Sequence, residues 1–483
     1  MLFNSVDFLI FFPIVVGIYF IVPKRVRYLV LLIASYYFYM CWNPKYALLI
    51  AASTVITYAC GILIDKTDST KLKKLLIVLN CVSNLGILFV FKYANWLIDN
   101  ISKIMSMAGF NAIEKRFDLL LPVGISFYTF QALSYTFDVY KKTIKPERNI
   151  LKYALYVSFF PQLVAGPIER STKLLPQVQN ADKINVWEFD RVRDGFLIML
   201  WGYFQKLVIA DRISLYVEPI VNNYTEYGSI EIILAVVLFA FQIYCDFGGY
   251  SNIARGAAKV MGFELMQNFK EPYLATDIKS FWRRWHISLT SWFTDYLYIP
   301  LGGNRKGELR KYINIFIVFG ISGLWHGASW NYVAWGLLHA IYQVVGQIKD
   351  KLAGKSGKTD NFISRTGKIL ITFILTDFAW LFFVSKGLKN AVLMIRRIVT
   401  SGNISAGAIR EFGIQNSIIL LAALIILAIV DILHEKQISV FSLVQDRNVV
   451  IRWIVYYALL WLVIIYGIYG PTYDSSTFIY FQF

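Results

Sequence analysis

Residues 418–432 read IILLAALIILAIVDI, fifteen positions with a single acid, Asp431, and no base. The chain repeats this kind of stretch. Leu2–Val22, Tyr46–Ile64, Leu75–Phe91, Ile230–Tyr244, Tyr312–Leu324, Ile369–Val384 and Ile454–Ile468 are also long and nearly free of charge. A bilayer span takes roughly 20 mostly apolar residues. Over all 483 residues, 57% are hydrophobic and 16% charged, against roughly 45–50% and about 25% in a soluble domain. The excess lies in blocks, and with the weaker segments it predicts about eleven to thirteen spans. The expected fold class is therefore an all-α integral membrane protein. It is read as one polytopic domain over 1–483, with interfacial or re-entrant helices among the spans. Leu2–Val22 contains Asp7 and Pro13, and its basic cluster follows the apolar run, so it reads as an uncleaved first span rather than a signal peptide.

The formal net charge of +17 does not point to nucleic acid. The bases gather between apolar blocks, at Lys24/Arg25/Arg27, Lys66/Lys71/Lys73/Lys74 and Lys141/Lys142/Lys145/Arg148/Lys152. Cytoplasmic loops collect Lys and Arg, and alternation with the poorly charged links puts the N-terminus outside and these clusters inside. No aromatic-rich basic groove or zinc spacing supports nucleic-acid binding. Cys41, Cys60, Cys81 and Cys245 fall in or beside the apolar blocks without metal-ligand spacing. They read as buried apolar residues, and no metal site is expected. Abundant Ile and Lys fit a bacterial plasma membrane.

No internal repeat of the transporter kind is evident. The middle of the chain differs from its ends. Phe196–Ile213 carries Gln205, Lys206, Asp211 and Arg212, and Phe239–Gly262 carries Asp246. Such groups are expensive in lipid, so these segments face a protein-lined cavity or the interface. A hydrophilic link, KDKLAGKSGKTDN (349–361), then precedes plain apolar blocks. Function is expected between 118 and 345.

Two histidine motifs lie in that region. In SFWRRWHISLTSWFTDYLYIPLGGNRKG (280–307), Trp282, Trp285, Leu289, Trp292 or Phe293, and Tyr296 make one apolar stripe if the segment is a helix. His286 borders the stripe. The segment is too polar to span and suits an interfacial or re-entrant helix stopped by Pro300 and Gly302-Gly303. His326, in SGLWHGASW (322–330), ends an apolar block and is flanked by Gly320, Gly323 and Gly327, whose spacing permits close approach of another helix or a substrate. Desolvation keeps an imidazole neutral, as a general base requires. A core histidine bonded between helices is the other reading. His339 lies thirteen residues on, about 220° round an ideal helix from His326, and is read as packing. His434 is read as a surface residue at a span end. Asp246 either orients a histidine, lines a substrate path or caps a helix beside Gly248-Gly249. No G-x-S-x-G elbow is present, which favours direct transfer over a covalent acyl-enzyme.

The two motifs, SFWRRWHISLTSWFTDYLYIPLGGNRKG and GLWHGASWNYVAWGLLHA (323–340), resemble the membrane-bound O-acyltransferase family. So do LLPVGISFYTFQALSYTFDVY, FFPQLVAGPIER and YCDFGGYSNIARGAAKVMGF, and the opening MLFNSVDFLIFFPIV and closing FIYFQF fit its alginate-type bacterial branch. The resemblance implies helices around a central tunnel, with His326 catalytic and His286 a second site residue. Trp325, Arg283, Arg284, Trp285, Asp246 and Asn304 are the candidate substrate contacts, and Arg305 and Lys306 join the arginines as candidates for donor phosphates. It further implies transfer of an acyl group, acetyl by expectation, from a cytoplasmic thioester (acetyl-coenzyme A or an acyl-carrier protein) to a hydroxyl of an extracytoplasmic polysaccharide or partner. An SGNH-hydrolase-type partner would complete the transfer. No bound cofactor is expected. The rival expectations are D-alanyl transfer to teichoic acid and transport of lipid-linked sugars.

Overall fold

The computed structural model describes residues 1–111, 113, 116–118, 120–164, 166–353, 361–401, 407–469 and 479. Part of the hydrophilic link (354–360) and all of FIYFQF except Ile479 lie outside the described residues. Among the described residues all regular structure is helical, as the composition predicts. Among the described residues, six helices are long and apolar enough to cross a bilayer: Pro44–Lys66, Thr70–Lys92, Ser229–Val260, Phe362–Val384, Ile414–Glu435 and Val449–Tyr466. The estimate of eleven to thirteen spans also counted helices that are short or buried in protein. Val6–Ile21 has 16 residues, about 24 Å at 1.5 Å per residue. Ile125–Tyr140 is buried at every position except Phe137 and Tyr140. An apolar block needs the full bilayer length only where lipid, rather than other helices, surrounds it.

The chain packs as two compact units. The first contains residues 1–196 and 254–266. Its interior is built on Ile125–Tyr140, which enters from Gly124 at φ 73°. A Cβ on Gly124 would stand 2.2 Å from the Leu163 carbonyl oxygen, so only glycine fits there. Several of its buried polar side chains are bonded to one another. Ser53 donates to Asn84 (2.6 Å), Asn80 to Thr136 (2.9 Å), and the Tyr153 hydroxyl to Thr57 (2.7 Å). Such pairing removes the cost of burying bare polar groups away from water. Val6–Ile21 buries Phe8, Phe12 and Tyr19 in the same unit. Arg27 departs from its reading as a loop base: it opens helix Arg27–Met40, is buried, and donates to the Ile184 carbonyl at 3.0 Å.

The second unit contains residues 197–253 and 267–483. Lys206 lies in a buried π-helical stretch, Phe204–Ala210, and meets Asp211 at 2.8 Å and Asp246 at 2.6 Å. The other Asp246 oxygen accepts from the Ile479 backbone at 2.8 Å. Helix Ser229–Val260 runs unbroken past Gly248-Gly249, so Asp246 is an ion-pair partner and not a cap. Helices Glu308–His326 and Trp330–Ala353 form a tight hairpin. Cβ atoms on Gly323 and Gly336 would lie 2.3 and 2.2 Å from the carbonyl oxygens of Tyr332 and Phe319. The expected close helix approach is therefore present. His434 corrects its reading as a surface residue: it is about one-third exposed, and its Nδ1 stands 3.2 Å from Glu271 Oε1. The neighbouring Glu435 holds both Arg284 and Arg365 at 2.6 Å.

Candidate active site

The stretch 280–307 is not one helix. Helix Ile278–Arg284, capped by Asp277 accepting from the Ser280 amide at 2.8 Å, ends at Trp285. His286 takes φ 44°, ψ 52°, and a new helix runs Ile287–Phe293. A left-handed non-glycine residue costs of order 1–3 kcal/mol and persists only where its surroundings impose it. Here the chain at 268–270 imposes it. The Lys270 amide donates to the Arg284 carbonyl and the Ile287 amide to the Asn268 carbonyl, each at 2.9 Å. A continuous helix would have put His286 beside the tryptophan stripe. The break turns it inward instead, with no exposure to solvent.

His326 ends helix Glu308–His326, and Gly327 leaves it with extended backbone. The turn at 327–329 sends the chain back into Trp330–Ala353. The His326 ring, 4% exposed, is enclosed by Trp325 (5.0 Å between centroids), Trp335 (5.0 Å), Phe383 (5.4 Å) and His286 (6.3 Å). Phe247 closes on His286 at 4.7 Å. The two motif histidines, forty residues apart in sequence, thus share one aromatic enclosure. His286 lies outside the six spans, and burial pushes its imidazolium down to about 3, so the ring is neutral at physiological pH.

His339 is a packing residue, as expected. Its Nδ1 accepts from Trp282 Nε1 at 3.2 Å, and it lies among Phe281, Phe319 and Trp335.

Two cavities adjoin the His326 helix. One, of about 720 Å³, is lined by Gly327, Ser329, Asn331, Phe383, Gln242 and Lys386 among others. The second, of about 410 Å³, is lined by Lys279, Arg283, Gln343 and Ser322 among others. Ser322 and Gly327 stand on either side of His326 in sequence, so the last turn of that helix reaches both. Both volumes are in the range of small-molecule sites.

The remaining candidates separate. Trp325 touches both histidines. Arg283 is exposed and lines the smaller cavity. Arg284 points elsewhere, to Glu435 at 2.6 Å. Trp285 is buried against Phe269, Phe281 and Trp380. Asp246 is held by Lys206, while its neighbour Phe247 is the residue that meets His286. Asn304 is exposed in the turn before Glu308, beside the exposed Arg305 and Lys306. Sequence reasoning missed Phe247, Trp335, Phe383 and Asn268. Trp335 had one available signal: a turn at 327–329 brings the residue nine positions after His326 back beside it.

Comparisons with known proteins give the family. The sequence profile described as "MBOAT, membrane-bound O-acyltransferase family" matches residues 144–384, which include both histidines. The chain is 36% identical over 407 residues to a probable alginate O-acetylase of Pseudomonas putida, covering 83% of this chain and 81% of that protein. It is 35% identical over 403 residues to the peptidoglycan O-acetyltransferase of Helicobacter pylori, covering 78% and 74%. It is 26% identical over 281 residues to the teichoic acid D-alanyltransferase of Bacillus subtilis, covering 56% and 70%. With its spans, its buried histidine pair and these similarities over most of its length, the chain belongs to the membrane-bound O-acyltransferase family and is an O-acyltransferase.

Proposed function

We propose that this chain is a multi-pass protein of the bacterial plasma membrane that moves an acetyl group from a cytoplasmic thioester to hydroxyls of an extracytoplasmic polysaccharide. The names of the alginate and peptidoglycan relatives support acetyl transfer onto glycans. The observation that carries the mechanism is the buried His286–His326 pair at 6.3 Å, with Gly327 on the wall of the larger cavity.

His326 is the general base. It takes the proton of the acceptor hydroxyl as that oxygen bonds to the thioester carbonyl carbon. The carbon–sulfur bond breaks, and the thiolate leaves with the proton from His326, which returns to its neutral form. A base so placed is worth roughly 10²–10⁴-fold. His286, neutral and desolvated, donates its N–H to the oxygen that gains charge on the carbonyl. Trp325, packed against both rings, fixes their orientation. Arg283 and Lys279, on the smaller cavity, hold the phosphates of the donor, acetyl-coenzyme A or an acyl-carrier protein. The exposed Asn304, Arg305 and Lys306 are further candidates for donor contact. The larger cavity receives the acceptor, either the glycan or an extracytoplasmic SGNH-type partner that completes the transfer. D-alanyl transfer is the second reading, favoured by the Bacillus relative alone among those named above.

The test is mass spectrometry of envelope glycans from a deletion strain complemented with wild type, His326→Ala or His286→Ala. Wild type restores an acetyl mass shift, and His326→Ala, present in the membrane at equal abundance, does not. Full restoration by His326→Ala would remove the general-base assignment. An alanyl shift in place of an acetyl one would install the second reading.

A further inference from the structure

Asn268 is polar and only 1% exposed. Its hydrogen bonds converge on the turn that carries His286. Its backbone carbonyl accepts from the Ile287 amide at 2.9 Å. Its side-chain oxygen accepts from the Ser288 amide at 3.4 Å, and its side-chain nitrogen donates to Ser251 Oγ at 3.3 Å. Ile287 and Ser288 open the helix that follows His286. First-turn amides of a helix have no partner within it, and the residue expected to cap them is the one just before, here His286. Its side chain makes no cap bond. Asn268, eighteen positions upstream, supplies the acceptors instead, and Ser251 on helix Ser229–Val260 fixes the orientation of its amide.

We propose that Asn268 is a positioning residue: it holds the left-handed turn at His286 and so aims that imidazole at His326. The proposal rests on the catalytic reading of the histidine pair. Two alternatives would satisfy the backbone without Asn268. In one, His286 relaxes to helical φ and its ring rotates toward the tryptophan stripe. In the other, the first turn of Ile287–Phe293 frays. Either moves His286 off the His326 enclosure while leaving both cavities lined.

The experiment combines Asn268→Ala with His286→Gly. Glycine adopts positive φ without the Cβ penalty, so a turn with glycine at 286 needs little bracing. Thermal midpoints of the full chain in nanodiscs are measured for wild type, each single variant and the double variant, and glycan O-acetylation is measured in complemented cells per unit of membrane protein. Asn268→Ala lowers acetylation by roughly 10-fold, the effect of one lost buried hydrogen bond. It lowers the midpoint in the wild-type background but by less than half as much in the His286→Gly background. If Asn268→Ala does not accumulate, Ser251→Ala, which removes only the bond that orients the amide, gives a smaller loss in the same direction. Equal midpoint shifts in both backgrounds show a packing role and overturn the proposal, as does full acetylation by Asn268→Ala or by Ser251→Ala. Full acetylation by a His286→Ala control overturns the catalytic reading of His286 itself, a different failure.

Discussion

Lys206→Met, set beside Asp246→Asn, tests whether Asp246 is buried as an ion-pair partner or as a substrate contact. Lys206 and its partners Asp211 and Asp246 are each less than 5% exposed, with nitrogen–oxygen distances of 2.8 and 2.6 Å. Methionine keeps the length and apolar stem of lysine and removes the charge. Two carboxylates then remain buried without their shared cation. Breaking a buried ion pair by removing one partner costs about 3–5 kcal/mol, because an uncompensated charge is left behind. At roughly 2 °C per kcal/mol for a large chain, the midpoint falls by ~6–10 °C. Asp246→Asn removes one acid and leaves Lys206 paired with Asp211, and the asparagine oxygen still accepts from the Ile479 amide. Its cost is smaller, on the order of 1–2 kcal/mol. The assay is thermal unfolding of the purified chain in nanodiscs, followed by intrinsic tryptophan fluorescence, with glycan acetylation measured in parallel below the midpoint. The expected order is wild type, then Asp246→Asn, then Lys206→Met, with acetylation per folded molecule nearly unchanged in both variants. Suppose instead that Asp246→Asn keeps the wild-type midpoint and abolishes acetylation. Asp246 would then act on substrate, and its assignment to the ion triad would be the wrong account of why it is buried.

Two further outcomes follow from the geometry. Arg283→Ala raises the KM for acetyl-coenzyme A by roughly 10-fold, the worth of one charge-assisted contact to phosphate, whereas Arg284→Ala leaves that KM unchanged and lowers the midpoint. Steady-state kinetics on the purified chain distinguishes them, and a raised KM in Arg284→Ala alone would reverse the two roles. Gly323→Ala forces a Cβ to within 2.3 Å of the Tyr332 carbonyl, while the same change at Gly320 meets only Leu337 Cδ2 at 3.8 Å. The first destabilises by about 1–3 kcal/mol as overpacking does and weakens acetylation by shifting the His326 hairpin. The second changes stability by less than about 0.5 kcal/mol, and equal midpoints for the two variants would contradict the close packing of this hairpin.

The sequence by itself determined the solvent of this protein, its family and the address of the candidate site. Runs such as 418–432 are apolar over most of a bilayer's width and recur along the chain. Two histidines placed among aromatics and glycines, in a chain with four, marked the site, and the surrounding motifs supplied the family. Local pattern misjudged what long-range contacts control. The aromatic spacing of 280–296 reads as one helix, because the residues that break it, Asn268 and Lys270, are distant in sequence. Arg284 and Arg283 are adjacent and chemically identical, yet one is taken by Glu435 and the other faces a cavity, a difference set by which way each leaves a seven-residue helix. Asp246 reads as a site residue because an acid in an apolar run is conspicuous, but its partner Lys206 is forty positions away. The meeting of His286 with His326 was likewise decided only in three dimensions. It requires a left-handed turn at one histidine and a helix end at the other, and periodicity along the chain encodes neither.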